Sequence, residues 1–351
     1  DDCLTTGLSA FVAIYGSCTK SDLRMQLAFE RSVEIGPYRC SRLGIGTWSW
    51  GNRLLFGYDE SQDDSLRDTF DYCVARGVNF FDTGDSYGTG PRFQGRAETL
   101  LGRFSENNGS SDDVVLATKL ASFPWRITPG SFERASQDSA RRLRCSSVPL
   151  VQIHWSTANY APWQDKVIWE GFARMYEKGY AKAIGVSNFG PRQLRDIHHF
   201  MRERGVPLSS CQFQMSLLKR SAIESGLLET CGELGIQPIG YSPLCLGVLT
   251  GKYSVNQLPT GARGILFREL LKGSQVLLRT LRAISAERGK SVAQVAINWS
   301  LSQDVLTLVG ARSVVQAVDS LGATGWRLTG QELEDLDRAA RACTQQMIEN
   351  P

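Results

Sequence analysis

From residue 40 onward the chain repeats one unit, a short apolar β-prone run followed by an amphipathic stretch with apolar residues every third or fourth position. That alternation is the pattern of a parallel sheet whose strands are joined by helical crossovers. Runs at 43–46, 78–81, 114–118, 150–154, 183–186, 210–214, 237–241 and 306–309 read as strands, eight in all. Helical patterns lie between them at 65–76, 98–104, 132–143, 167–178, 193–204, 223–234 and 292–301. Eight βα units in roughly 300 residues predict a single-domain α/β fold, the (β/α)8 TIM barrel, because an open doubly wound sheet uses fewer strands and opens with a Gly-rich phosphate turn. Here Leu43-Gly44-Ile45-Gly46 leads instead into Thr47-Trp48-Ser49-Trp50, whose indoles would obstruct a pyrophosphate crossing that turn.

The barrel is expected to span 37–345, with a tail at 346–351 and no linker that would split it. Residues 1–36 read as a leader or disordered extension, with an apolar patch at 8–15 followed by Ser17, Thr19, Lys20 and Arg24. Asp1 and Asp2 disfavour a secretory signal, while the trailing end of an organelle transit peptide stays open. The region from 247 to about 273 reads as a long irregular loop on the catalytic face, a cofactor clasp or lid.

Composition narrows the partners. A formal charge of +3 spread over 351 residues, without a dense basic stripe, gives no reason to expect nucleic acid. No apolar run approaches the roughly 20 residues of a membrane-spanning helix, so no membrane insertion is expected. Nine cysteines without a CxxC pair read as reduced thiols. With His154, His198 and His199 as the only histidines, no cluster has zinc-site spacing, and no metal is expected.

In such a barrel, catalytic groups sit where strands end. The second strand runs into Phe80-Phe81-Asp82-Thr83-Gly84-Asp85-Ser86-Tyr87-Gly88, the third ends at Lys119 and the fourth at His154. Singly these are ordinary residues: a turn-forming Asp, a solvated Lys, a core His. Together they suit carbonyl reduction. A carbonyl that accepts hydride develops charge on oxygen and needs a proton, which Tyr87 can give if a neighbouring Lys119, held by Asp82, eases loss of the phenolic proton. His154 can donate to the same oxygen and orient it. Asp85 and Ser86 read as turn residues.

These four residues resemble the tetrad of the aldo-keto reductase superfamily, and the likeness extends over about residues 40–336. It implies Tyr87 as proton donor, Asp82 and Lys119 as its tuning pair, His154 as carbonyl orienter, and NADPH as cofactor. It also implies the cofactor contacts. Gly46, Thr47, Trp48 and Asp82 would contact the cofactor, with Ser187, Asn188 and Gln212 on the nicotinamide carboxamide. Tyr241 would stack on the nicotinamide ring, with Ser242, Pro243 and Leu244 following it. Lys252 and Arg263 in the long loop, with Gly310 and Arg312 after the last strand, would hold the dinucleotide's phosphates, and guanidinium forks favour NADP over NAD. Gln316, Asp319 and Ser320 continue the adenine side, Ser320 standing where the family usually has Asn.

Longer segments, at 48–58, 154–162, 175–179 and 258–261, are similar to one branch of that superfamily, the plant chloroplast pyridoxal reductases. This resemblance implies reduction of pyridoxal to pyridoxine in a plastid, with Trp50, Tyr58, Trp125 and Trp155 as aromatic walls for the substrate. Two other readings are weighed: a broad aldehyde-detoxifying reductase, and an NADPH-sensing channel subunit, a role whose members commonly carry Asn where this chain has His154.

Overall fold

Side chains alternate between the two faces of a strand, and in this chain the alternation sorts polar groups from apolar ones at one end of a closed barrel. The structure, a computed structural model, describes residues 32–88, 94–108, 113–260 and 262–348. Val33–Ile35 (β1) and Tyr38–Cys40 (β2) form an antiparallel hairpin. Eight parallel strands follow: Leu43–Gly46 (β3), Phe80–Asp82 (β4), Val115–Leu120 (β5), Val148–Ile153 (β6), Ala181–Ser187 (β7), Leu208–Gln214 (β8), Gln237–Tyr241 (β9) and Leu306–Gly310 (β10). They close in sequence order, β10 pairing with β3 through Thr307 opposite Leu43 and Gly310 opposite Gly46.

One set of residues fills the barrel: Phe80, Val115, Ala117, Leu150, Ala183, Ile239, Leu306 and Leu308. Their strand neighbours Phe81, Leu116, Val151 and Ile184 belong to the outer layer against the helices. Two positions further along the inward rows stand Asp82 after Phe80, Lys119 after Ala117, Gln152 after Leu150 and Gln212 after Ser210. The period of two therefore brings these polar side chains together at the strands' C-terminal end.

Several elements differ from the sequence reading. The hairpin closes the opposite end of the barrel, placing Ile35 and Cys40 in the interior cluster, so the barrel unit begins before the boundary drawn at residue 37. Three-residue strands are too short to show a period, which is why the pattern missed them. Residues 1–31 of the expected leader and 349–351 of the tail lie outside the described residues. The region 247–273 is not one irregular loop: a 3-10 segment at Cys245–Thr250 is followed by a helix at Ala262–Gly273. Helices at Gln275–Arg288 and Gly330–Arg341 were also unforeseen, and Arg288 ties them by two bonds to Glu332 at 2.6 and 2.7 Å. The helix expected at 223–234 is interrupted at Gly226, whose φ of 74° leaves Ser221–Glu224 and Leu227–Leu234 as separate pieces. Among the described residues no helix is long and apolar enough to cross a membrane.

Candidate active site

Beyond β4 the chain stays on the barrel rim. Thr83 N–H donates to Ala117 O at 2.8 Å and Asp85 N–H to Lys119 O at 2.9 Å, so the β4–β5 pairing continues past the strand end. Asp85 Oδ1 accepts from Ala121 N at 3.0 Å, and its other oxygen pairs with Arg126 Nη2 at 2.6 Å. A turn closed by Tyr87 N–H to Gly84 O at 3.0 Å then folds the tyrosine ring back over Gly84, where a Cβ would stand 3.1 Å from it. This turn is braced at two residues before the phenol is placed.

Lys119, 2% exposed, is paired with Asp82, 3% exposed, and donates to Thr83 O at 2.7 Å. The second carboxylate oxygen accepts from Gln152 Nε2 at 3.2 Å and Gln212 Nε2 at 2.8 Å, which gives Asp82 donors from β5, β6 and β8. The Lys119 ammonium lies 4.9 Å from the centre of the Tyr87 ring, and the His154 ring is 5.8 Å from it on a steep angle. The four residues expected to form the tetrad do converge.

Electrostatics sets their protonation. Burial, followed by the charges of Asp82 and Asp85, pushes the Tyr87 phenol well above its ordinary value. Burial lowers Lys119, against the pull of Asp82 in the other direction. Burial and then the nearby Lys119 push His154 down to about 3. At neutral pH the site therefore holds a protonated phenol and an uncharged imidazole. Burial sets the direction of the phenol's shift in the resting site.

The tetrad lies in a cavity of about 820 Å³ that runs from Trp48 and Trp155 to Arg312 and Ser320. Gly46, Asp82, Ser187, Asn188, Gln212, Tyr241, Ser242, Pro243, Leu244, Lys252, Arg263, Gly310, Gln316 and Asp319 all line it, as the sequence reading expected. Ser187 Oγ is buried without a hydrogen-bond partner among the described residues. Asn188, in the left-handed region at φ 60°, donates to His154 O at 3.1 Å and accepts from the Tyr241 hydroxyl at 2.9 Å. At the far end Arg263 and Arg312 lie together, and burial and then Arg263 lower Arg312 below its ordinary value. Neither pairs with a carboxylate among the described residues. The helix Val314–Leu321, capped by Ser313, begins beside them, so two guanidiniums and a helix N-terminus share one corner.

Four expected site residues are placed elsewhere. Thr47 is fully buried and donates through Oγ1 to Asp82 O at 3.0 Å, a support for the strand end. Trp50 is 0% exposed, and its indole donates to Ala311 O at 2.9 Å; the turn over 48–50, closed by Trp50 N–H to Thr47 O, sends it into the outer core. Tyr58 is buried and bonded to Asp63 at 2.6 Å and Arg96 at 2.9 Å. Trp125 is 69% exposed, stacked on Phe123 at 4.4 Å, outside the cavity. Of the four aromatic walls, only Trp155 remains, its Nε1 held by the Tyr160 hydroxyl at 2.8 Å. Phe56 lines the cavity, as does Tyr253 beside Lys252, and Phe56 was given no role. Their segments were noted, but nothing in an aromatic residue's type tells which face it takes. A more open groove of about 980 Å³ lies between the helices Gln275–Arg288 and Gly330–Arg341 and contains none of these groups.

Known proteins share this fold. The glycerol dehydrogenase of Gluconobacter oxydans superposes with a TM-score of 0.70 at 25% identity, covering 91% of this chain and 98% of its own. An aldo/keto reductase of Klebsiella pneumoniae, solved with NADP and acetate, does so at 0.68 and 22% identity, covering 91% and 98%. By sequence, the chloroplastic pyridoxal reductase of Arabidopsis thaliana is 48% identical over 324 residues, 91% of this chain and 88% of the relative. An uncharacterized oxidoreductase of Mycobacterium tuberculosis is 35% identical over 313 residues, 88% and 91%. The model of the Aldo/keto reductase family matches residues 42–341, which spans all eight barrel strands and takes in all four converging groups, so the chain is an oxidoreductase belonging to that family.

Proposed function

We propose that this protein reduces pyridoxal to pyridoxine with NADPH, and that its four converging groups perform the chemistry. The observation that carries the reading is the tetrad itself: a protonated phenol and a neutral imidazole facing one cavity, above a buried Lys119–Asp82 pair. The 48% identity to a chloroplastic pyridoxal reductase supports the substrate and a plastid location.

The residues fit a phosphorylated nicotinamide dinucleotide. Ser187 Oγ lacks an internal partner beside Asn188 and Gln212, as a carboxamide site would require, and the Arg263–Arg312 corner suits a phosphomonoester. When bound, NADPH supplies the hydride that the carbonyl carbon accepts. Tyr87 gives its hydroxyl proton to the carbonyl oxygen, and the phenol is recharged from solvent. The Lys119 ammonium near the ring stabilises the phenolate left after that transfer, while Asp82 holds the ammonium in place. His154 orients the carbonyl. Its Nδ1 is buried without a partner, so the proton is better placed on Nε2, since an unpaired buried N–H costs more than an idle lone pair. Nε2–H then donates to the carbonyl oxygen. Trp48 and Trp155 give the flat pyridine ring aromatic walls.

Purified protein given pyridoxal is expected to consume NADPH, and Tyr87→Phe to lower kcat by about 10²–10⁴. The decisive comparison is a panel of aldehydes run with NADPH and NADH. Faster turnover of small aliphatic aldehydes would replace pyridoxal by a general detoxifying role, and cofactor binding with no turnover of any aldehyde would sink the catalytic reading.

A further inference from the structure

Between β3 and the first long helix, Asp63–Ala75, the chain makes a detour whose purpose the tetrad does not explain. It is firmly built. Trp50 anchors it to Ala311, the residue before Arg312, and Tyr58 anchors its other end to Asp63 and Arg96, which pair at 2.6 Å. Gly51, at φ 83°, passes so close to Arg96 that a Cβ would lie 2.7 Å from its Cβ. Between the anchors is one helical turn, Arg53–Phe56, with Asn52 accepting from Leu55 N at 3.0 Å and Gly57 ending it at φ 63°.

What this turn delivers is Phe56. Its ring is half-buried in the cavity wall, edge-to-face with Trp48 at 5.4 Å. The guanidinium carbon of Arg263 lies 5.6 Å from the ring centre and that of Arg312 5.7 Å from it. Arg312 Nη1 also donates to Phe56 O at 2.7 Å. Two like charges without a carboxylate between them repel. A π face and a carbonyl, both electron-rich, offset that repulsion and keep the pair assembled before any anion arrives. Occupying Nη1 with a carbonyl leaves the remaining donors of Arg312 for an incoming oxyanion.

We propose that Phe56 determines cofactor specificity: it holds Arg263 and Arg312 where a 2′-phosphomonoester binds, so that the protein discriminates NADPH from NADH through a residue that need not touch the phosphate. The inference rests on reading those arginines as the phosphate corner, and the test separates the two. Binding of 2′,5′-ADP and of 5′-AMP is measured on the wild type and on Phe56→Ala, Phe56→Leu, Phe56→Tyr and Arg312→Ala. Phe56→Ala and Phe56→Leu are expected to weaken 2′,5′-ADP by roughly tenfold and to leave 5′-AMP within about twofold, because only the phosphate uses the arginines. Phe56→Tyr, which keeps the π face, retains most of the affinity. The NADPH-to-NADH ratio of kcat/KM should fall in parallel. If the alanine and leucine variants lose both probes equally, Phe56 merely shapes the cavity and the proposal is overturned; the same follows if neither probe is affected. If Arg312→Ala leaves 2′,5′-ADP binding unchanged, the phosphate corner itself has been misread.

Discussion

The neutral His154 makes this protein's stability depend on pH in a way that can be isolated. Above about pH 7.5 the imidazole is uncharged in both folded and unfolded chains, and its titration contributes nothing. On acidification the unfolded chain takes up a proton near 6.5, whereas the folded chain resists protonation until about 3. Between those values the unfolded state binds more protons, so stability falls as pH falls. At pH 5 the unfolded histidine has gained about 1.5 units of driving force, which at about 1.4 kcal/mol per unit costs the folded state about 2 kcal/mol. Water in the adjoining cavity makes that figure a ceiling.

The comparison is with His154→Asn, which removes the titration and keeps a polar side chain of similar reach. Other acid-sensitive pairs, such as Glu332, held down to about 2 chiefly by its bonds to Arg288, are common to both proteins and cancel in the difference. Unfolding followed by tryptophan fluorescence at pH 7.5 and 5.0 should show the wild type losing more than the variant, by up to about 4 °C at roughly 2 °C per kcal/mol in a large domain. Parallel losses would refute the neutral imidazole. So would an acid limb near pH 6.5 in kcat/KM that disappears with the histidine.

Three further outcomes are expected. Ser187→Ala should leave stability unchanged or slightly raised, because the hydroxyl has no internal partner, while weakening dinucleotide binding several-fold by calorimetry. Gly102→Ala should lower the melting temperature more than Gly185→Ala: a Cβ at 102 meets the Arg142 backbone carbonyl at 2.3 Å, whereas at 185 the closest atom, at 2.1 Å, is the rotatable Ser210 Oγ, so Ser210→Ala should rescue part of the second loss only. Asp85→Asn should cut kcat by roughly tenfold by loosening the Tyr87 turn, and should move the alkaline limb of the pH–rate profile downward as a charge that raises the phenol is lost; an unchanged limb would confine Asp85 to a structural part.

The barrel was legible because its strands keep the period of two. The runs at 43–46 and 237–241 match β3 and β9 residue for residue, and the others fall within a few residues of their strands. The tetrad was legible for the same reason, since three of its members stand at or just past strand ends, where the inward row turns polar. What escaped was structure without a period. The β1–β2 hairpin is too short to have one, and the Gly264 and Gly273 interruptions hid the helix Ala262–Gly273. The aromatic walls failed for a related cause: Trp48 and Trp50 are two apart, and would share a face in a strand, but the turn they occupy sends one into the cavity and the other into the outer core.

The polar groups inside this barrel divide by whether the protein completes them. Asp82 accepts from Lys119, Gln152 and Gln212, so one carboxylate ties together side chains of β4, β5, β6 and β8. A buried ion pair adds little net stability, because desolvation opposes the attraction. Its retention here follows from what it organises. With Lys119 held at the carboxylate and the two amides aimed at the same acceptor, the floor of the site has no freedom left. Among the described residues Ser187 Oγ, in contrast, has no hydrogen-bond partner and neither Arg263 nor Arg312 pairs with a carboxylate, and Tyr87 lines the cavity. Ser187 and the two arginines are the groups proposed to meet the cofactor, whereas the Asp82 network beneath them is completed by the protein itself and holds the floor of the site.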